Sequence, residues 1–289
     1  MTRIIGLIIT VLTTLVLFFS SATCDNGKQS QKDWTGKLAD GTQITAEDLQ
    51  KILDDQMKWL VNPNNEKKTN LSHADLYGAD LSECILEGAN LQNANLSKAK
   101  LIKAHLAGAN LENANLSGAI LISADMVDTD LSGADLSGAD LTGVNFWMAE
   151  LSDANMKGAR LDSAHFHITG LSGVNLHGTD LSGISLYRIY MKDADLSNAN
   201  LRGAFLNGSH LGRVNLSNAD LRDADFTEVN FAGADLSNAN LRGTNLKEAV
   251  KLTFIQLCTA RTLYEAKLDS RLVKQVKEEC PQLLVEPKR

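Results

Sequence analysis

The chain has 289 residues, a net charge of −7 and only three prolines. That length allows one large domain or two ordinary ones, and the acidic balance has the wrong sign for gripping nucleic acid through its phosphates. Leu, Ala, Asn, Asp, Gly and Ser are in excess and recur in a fixed order.

Residues 1–23 read as an export signal or an N-terminal membrane anchor: Arg3, an apolar run from Ile4 to Phe19, then Ser20, Ser21 and Ala22. The 16-residue run falls short of the roughly 20 residues that span a bilayer, so a cleaved signal, cut after Ala22, is preferred to an anchor. A third reading is lipidation at Cys24, because the segment resembles a bacterial lipobox, although Ser21, Ala22 and Thr23 depart from its usual order. The expected location is the periplasm, the exterior or the cell envelope, with any membrane attachment made through the N-terminus.

Residues 24–43 read as a linker, and residues 44–68 as a helical N-terminal cap. Thr45 and Asp48 have the spacing of a capping box, Ile44 and Leu49 that of a hydrophobic staple. Leu49, Ile52, Leu53, Met57 and Leu60 form an apolar stripe at helical spacing, which Pro63 ends.

From Leu71 to Leu246 every fifth residue is Leu, Met or Phe, in 36 consecutive units without an insertion. Two positions earlier stands a small residue, mostly Ala; between them stands mostly Asn or Asp, as in Ala134-Asp135-Leu136-Ser137-Gly138. A strict period of five fits neither helix nor strand, and a fixed short period signals a solenoid. The unit A-[DN]-L-x-x resembles that of the pentapeptide-repeat family over residues 69–249. The resemblance implies an all-β solenoid: a right-handed four-sided β-helix with four units to a coil, hence about nine coils, its large and small apolar residues pointing inward.

The open ends of a solenoid must be covered. Residues 250–289 read as a C-terminal helical cap with a partial extra coil: a short helix over Phe254–Cys258, a second from Asp269 or Ser270 towards Cys280, and five-residue spacing restored by Leu263, Ala266 and Leu268. Cys258 and Cys280 are the candidate disulfide, with two unpaired buried thiols as the alternative. Cys84 stands where Ala is usual and reads as a small buried hydrophobe.

On the implied geometry, residues 20 apart stack on one face. The face centred on Leu76, Leu96 and Leu136 is uniform, its short polar side chains suited to turns. The face centred on Leu86, Leu106, Met126 and Phe146 differs: Val127, Trp147, His167 and Tyr187 point out on four successive coils. Met148, Ile168 and Arg188 run beside them, His165 and Phe205 flank them, and Tyr190 lies around the corner. An exposed aromatic patch with an Arg at its edge suits a protein partner, a second copy in a homodimer, or a covering terminal segment. Arg202, Arg222 and Arg242 stack on another face as a basic ridge, with Asp220, Asp223 and Asp225 near enough to pair with them.

His165 and His167 form an H-x-H pair with no evident third ligand, so no metal and no cofactor is expected. A filled rod offers no concave pocket, and no nucleophile, base and orienter occur together, which argues against an enzyme. The repeats carry 22 acidic against 12 basic side chains, and an acidic rod resembles the family members that imitate DNA and protect type II topoisomerases. That alternative conflicts with an export signal and with the arginine ridge. A purely structural or self-associating envelope protein is the other alternative.

Overall fold

The computed structural model describes residues 33–62, 64 and 68–286. The export segment, Cys24 and Pro63 lie outside the described residues. From Asn70 onward, one residue of each unit forms a parallel bridge with its counterpart 20 residues later, from Asn70 with Asn90 to Asn230 with Val250, in every unit but those of Arg160 and His165. Four units therefore complete one coil, and the large and small apolar residues of each unit form a continuous buried core.

The consensus residues follow from where five backbone N–H groups must go. In Ala134–Gly138 the Ala134 N–H closes a turn onto Leu131 O at 2.9 Å, and the Asp135 N–H reaches down a coil to Ala114 O at 2.9 Å. The N–H groups of Leu136 and Gly138 reach up a coil to Asn155 O and Lys157 O, at 2.7 and 3.0 Å. The fifth, that of Ser137, has no backbone partner and donates to the Asp135 side chain at 3.0 Å. Asn or Asp is therefore the acceptor that completes each turn. Gly138 sits at φ 63°, a left-handed conformation that costs glycine nothing and other residues up to about 2 kcal/mol.

Where Thr or Ser replaces the small Ala, the hydroxyl is buried and still satisfied. Thr129 donates to Leu106 O at 2.9 Å, Thr169 to Phe146 O at 2.8 Å and Ser209 to Leu186 O at 2.6 Å. The hydroxyl thus reaches the carbonyl of the coil below, and none of the three is left orphaned.

The first coil is overlaid by a hairpin and a helix. Strand β1 (Thr35–Lys37) pairs antiparallel with β2 (Gln43–Thr45), and Lys37 bridges Asp75 of the first coil. The segment expected to be a linker therefore contributes an edge-covering strand instead; three-residue strands carry too few positions for alternation to register in a sequence. Helix α1 (Ala46–Val61) starts at the Thr45–Asp48 capping box. Its buried face is Leu49, Leu53 and Gln56, while Met57 and Leu60 are only half-buried. Gln56 donates to Glu87 O at 2.6 Å and accepts from the Thr69 N–H at 3.0 Å, which satisfies backbone groups at the start of the solenoid.

At the other end the coil pattern resumes after an interruption. Helix α2 (Phe254–Cys258) places Gln256 to donate to Phe231 O and Ala234 O at 3.0 and 2.9 Å. Thr262 and Lys267 then bridge Asn240 and Asn245, and Leu263 and Leu268 are buried. Helix α3 (Ser270–Glu279) follows, and Cys258 is bonded to Cys280 with Cα atoms 5.8 Å apart. Cys84 is fully buried, as a small hydrophobe at an inward position is, but it is also disulfide-bonded. The repeat made a hydrophobic role sufficient.

Candidate protein-binding face

Stacking of the outward column is visible in the backbone. Asp128 donates to Trp147 O and Met148 to His167 O, both at 2.9 Å, so Val127, Trp147 and His167 occupy the same place on successive coils. Val127 is half-buried; Trp147, Met148, His165, His167, Ile168, Tyr187, Arg188, Tyr190 and Phe205 are exposed. No described segment lies over them. Among the described residues, six of the eleven exposed large hydrophobic side chains fall here, which sets this face apart from the rest of the rod.

Two further contacts shape the patch. The Arg188 guanidinium lies 5.1 Å from the Tyr187 ring centroid, a cation–π arrangement that holds both in place. Around the corner, Tyr190 and His210 stack with centroids 4.5 Å apart. His165 and His167 project on either side of inward Phe166, and no group of three metal-ligating side chains occurs among the described residues.

The backbone adds a feature that composition does not reveal. Met148, Ile168 and Arg188 have φ of 61°, 57° and 54°. The same position is Gly88, Gly108 and Asp128 below and Gly208, Glu228 and Glu248 above. Left-handed backbone is unfavourable for any side chain, and a β-branched residue there is an outlier. Among the described residues at positive φ, Ile168 is the one β-branched side chain. The signal was in the sequence, as the apolar Met and Ile in the run Gly-Gly-Asp-Met-Ile-Arg-Gly-Glu-Glu at intervals of 20, but only the backbone angle gives it an energetic meaning.

The arginine ridge is paired. Arg222 chelates Asp220 through Nε and Nη2, Arg202 lies 3.7 Å from Asp223 and Arg242 lies 3.1 Å from Glu265. Asp225 instead accepts from Thr227 and Asn245. The Arg222 hydrogen bonds hold the Asp220 carboxyl below the usual carboxylate range and push the guanidinium pKa up. A carboxyl pKa lowered by folding stabilises at neutral pH, and that contribution is lost as pH falls through the lowered value. Paired charges at a solvated surface leave no vacant anion site.

The family model for pentapeptide repeats matches residues 69–106, 99–138, 129–167, 171–208 and 209–247. The chain belongs to the pentapeptide-repeat family. Its fold is accordingly a right-handed β-helix solenoid, in a family that is in general structural or interactive rather than catalytic. HetL, a pentapeptide-repeat protein involved in heterocyst differentiation regulation in the cyanobacterium Nostoc sp. strain PCC 7120, is 32% identical over 63% of this chain and 84% of its own, with a TM-score of 0.51. QnrB1, a plasmid-mediated fluoroquinolone resistance protein, is 21% identical over 72% of this chain and 95% of its own, with a TM-score of 0.52. At that identity QnrB1 speaks for the fold alone. No curated protein matches the chain.

Proposed function

We propose that this pentapeptide-repeat protein is an exported, non-enzymatic interaction scaffold. It is a rod of about nine coils closed by helical caps, and it binds a protein partner or a second copy of itself through the face around Trp147, His167 and Tyr187. Export rests on the signal-like residues 1–23. The single observation that carries the binding face is Ile168, a β-branched side chain that is 63% exposed at φ 57°. Such strain is retained where something other than folding is served. The flanking Trp147, Tyr187 and Arg188 are of the residue types that dominate binding energy at protein interfaces. The likeness to QnrB1 adds nothing in favour of a topoisomerase partner, and the paired arginine ridge interrupts the negative surface that a DNA mimic needs.

Replacing Ile168 by Asn tests the reading, because Asn tolerates left-handed backbone better than a β-branched residue does. The Ile168→Asn protein is expected to gain about 1 kcal/mol in urea unfolding and to lose association. Association is read as retention of envelope proteins on the immobilised chain and as sedimentation of the chain alone. Greater stability with unchanged association would sink the proposal.

A further inference from the structure

The solenoid ladder lapses once. Counterparts 20 residues apart are bridged without a break on the two faces that carry Asn155 with Asn175 and Gly170 with Tyr190. On the other two faces the bridge series skips Arg160 with Asp180 and His165 with Ser185, although both series continue above and below. One coil lower, Leu141, Gly143, Phe146 and Met148 donate to Arg160 O, Asp162 O, His165 O and His167 O at 2.8 to 2.9 Å. One coil higher, Leu181, Gly183 and Leu186 donate to Asn200 O, Arg202 O and Phe205 O at 2.7 to 2.9 Å. The equivalent bonds from Leu161, Ser163, Phe166 and Ile168 to Asp180, Ser182, Ser185 and Tyr187 are absent among the described residues, as are the return bonds from Asp180 and Ser185.

The interior records the same opening. Ala164 and Ile184 are 7% and 8% exposed, whereas Val144 and Ala204, their counterparts in the adjoining coils, are at 0%. The side chains explain why. Ile184 and Ile189 fill two consecutive small positions that are usually Ala, on either side of Leu186, the counterpart of Phe166, whose ring stacks on Phe146 with centroids 5.1 Å apart. A single branched residue is accommodated elsewhere, since Val144, Val174 and Val214 lie under intact ladders. Two isoleucines above a phenylalanine overfill a close-packed layer, and overfilled layers move their backbones apart. The freed Ile189 N–H turns to the Ser209 hydroxyl at 3.0 Å. Arg160, His165, Ser185 and Tyr190 also stand where Asn or Asp would complete the turn. The repeat-family matches leave out residues 168–170 alone between 69 and 247.

We infer that the rod is two rigid blocks joined by a hinge at this seam, residues 69–157 below and 191–268 above, closed on two faces and open on two. The hinge stands on the ladder and the packing, independently of any partner. Its position has one consequence for the binding face: Trp147, Met148 and Ile168 belong to the lower lip, Tyr187, Arg188 and Tyr190 to the upper. A partner that touches both lips selects one hinge angle out of the ensemble.

Amide exchange on the full chain tests the hinge. The amides of Leu161, Ser163, Phe166, Ile168 and Ser185 are expected to exchange at least ~100-fold faster than those of Leu141, Gly143, Phe146 and Met148, because open backbone groups carry no share of global protection. The double variant Ile184→Ala, Ile189→Ala restores the small residues and is expected to bring seam protection up to that of its neighbours. Phe166→Leu serves the same purpose where the double variant does not fold. Nitroxide labels on Thr142→Cys and Ser182→Cys, spanning the seam, are expected to give a broader distance distribution than labels on Ile102→Cys and Thr142→Cys at the same spacing. Equal protection in the unaltered chain, fast exchange persisting in a folded variant, or equal distribution widths would each overturn the hinge.

Discussion

Leu136→Asp is expected to unfold much of the rod, lowering stability by about 5 kcal/mol, read as the urea midpoint of circular dichroism. Leu136 is wholly buried among the apolar side chains of the core. Truncating a buried leucine to Ala costs about 3 to 5 kcal/mol through lost burial and the cavity left behind, and Asp adds a charge with no partner in reach. A globular core spreads such an injury over many neighbours. In a solenoid each coil contacts only the coils above and below, so a damaged layer uncouples the two sides. Ser137→Ala, one residue away but on the surface, is expected to change stability by less than about 0.5 kcal/mol. A loss below about 1 kcal/mol for Leu136→Asp would mean that the inward leucines are not what holds the coils together.

The second large effect is on association. Trp147→Ser combined with Tyr187→Ser removes one aromatic side chain from each lip of the seam, both close to half exposed. Their rings are partly in water and neither belongs to the buried core, so thermal stability and circular dichroism are expected to stay as they are. If each residue anchors a pocket in the partner, losing the two weakens binding by about 4 kcal/mol, roughly a thousandfold. Gel filtration follows a self-associated form, and retention of envelope proteins on the immobilised chain follows a foreign partner. Together with the Ile168→Asn variant, which relieves strain at the same face, the pair separates two effects. Loss of aromatic contact leaves stability alone, and relief of backbone strain raises it. A chain in which both variants associate as before has its binding face elsewhere.

The strain at Met148, Ile168 and Arg188 and the seam between 160 and 190 occupy the same stretch of the rod. They have different origins. The strain comes from outward residues at left-handed positions, the seam from inward residues too large for their layer. Both depart from the repeat in a region where the Asn or Asp of the turn is also replaced at Arg160, His165, Gly170, Ser185 and Tyr190. A face that had only to be a rod would need neither.

The five-residue repeat was legible from sequence because its physics is local. Each unit must place one large and one small side chain inward, supply an acceptor for the N–H that the ladder leaves over, and turn through a left-handed residue. Those demands recur every five positions and leave their mark as Leu, Ala, Asn or Asp, and Gly. The capping box of α1, the two C-terminal helices and the Cys258–Cys280 pair were legible for the same reason, being short-range signals in unbroken segments. The residues of the aromatic face were legible as exceptions to the repeat. The β1–β2 hairpin, burial of Gln56, bonding of Cys84, strain at Ile168 and the lapse in the ladder were decided only by tertiary structure. Each depends on what lies one coil away or in a different segment, and no five-residue window contains that neighbour. The seam depends on the summed volume of Phe166, Ile184 and Ile189, residues that are unremarkable singly and meet only because 20 residues of chain return to the same place.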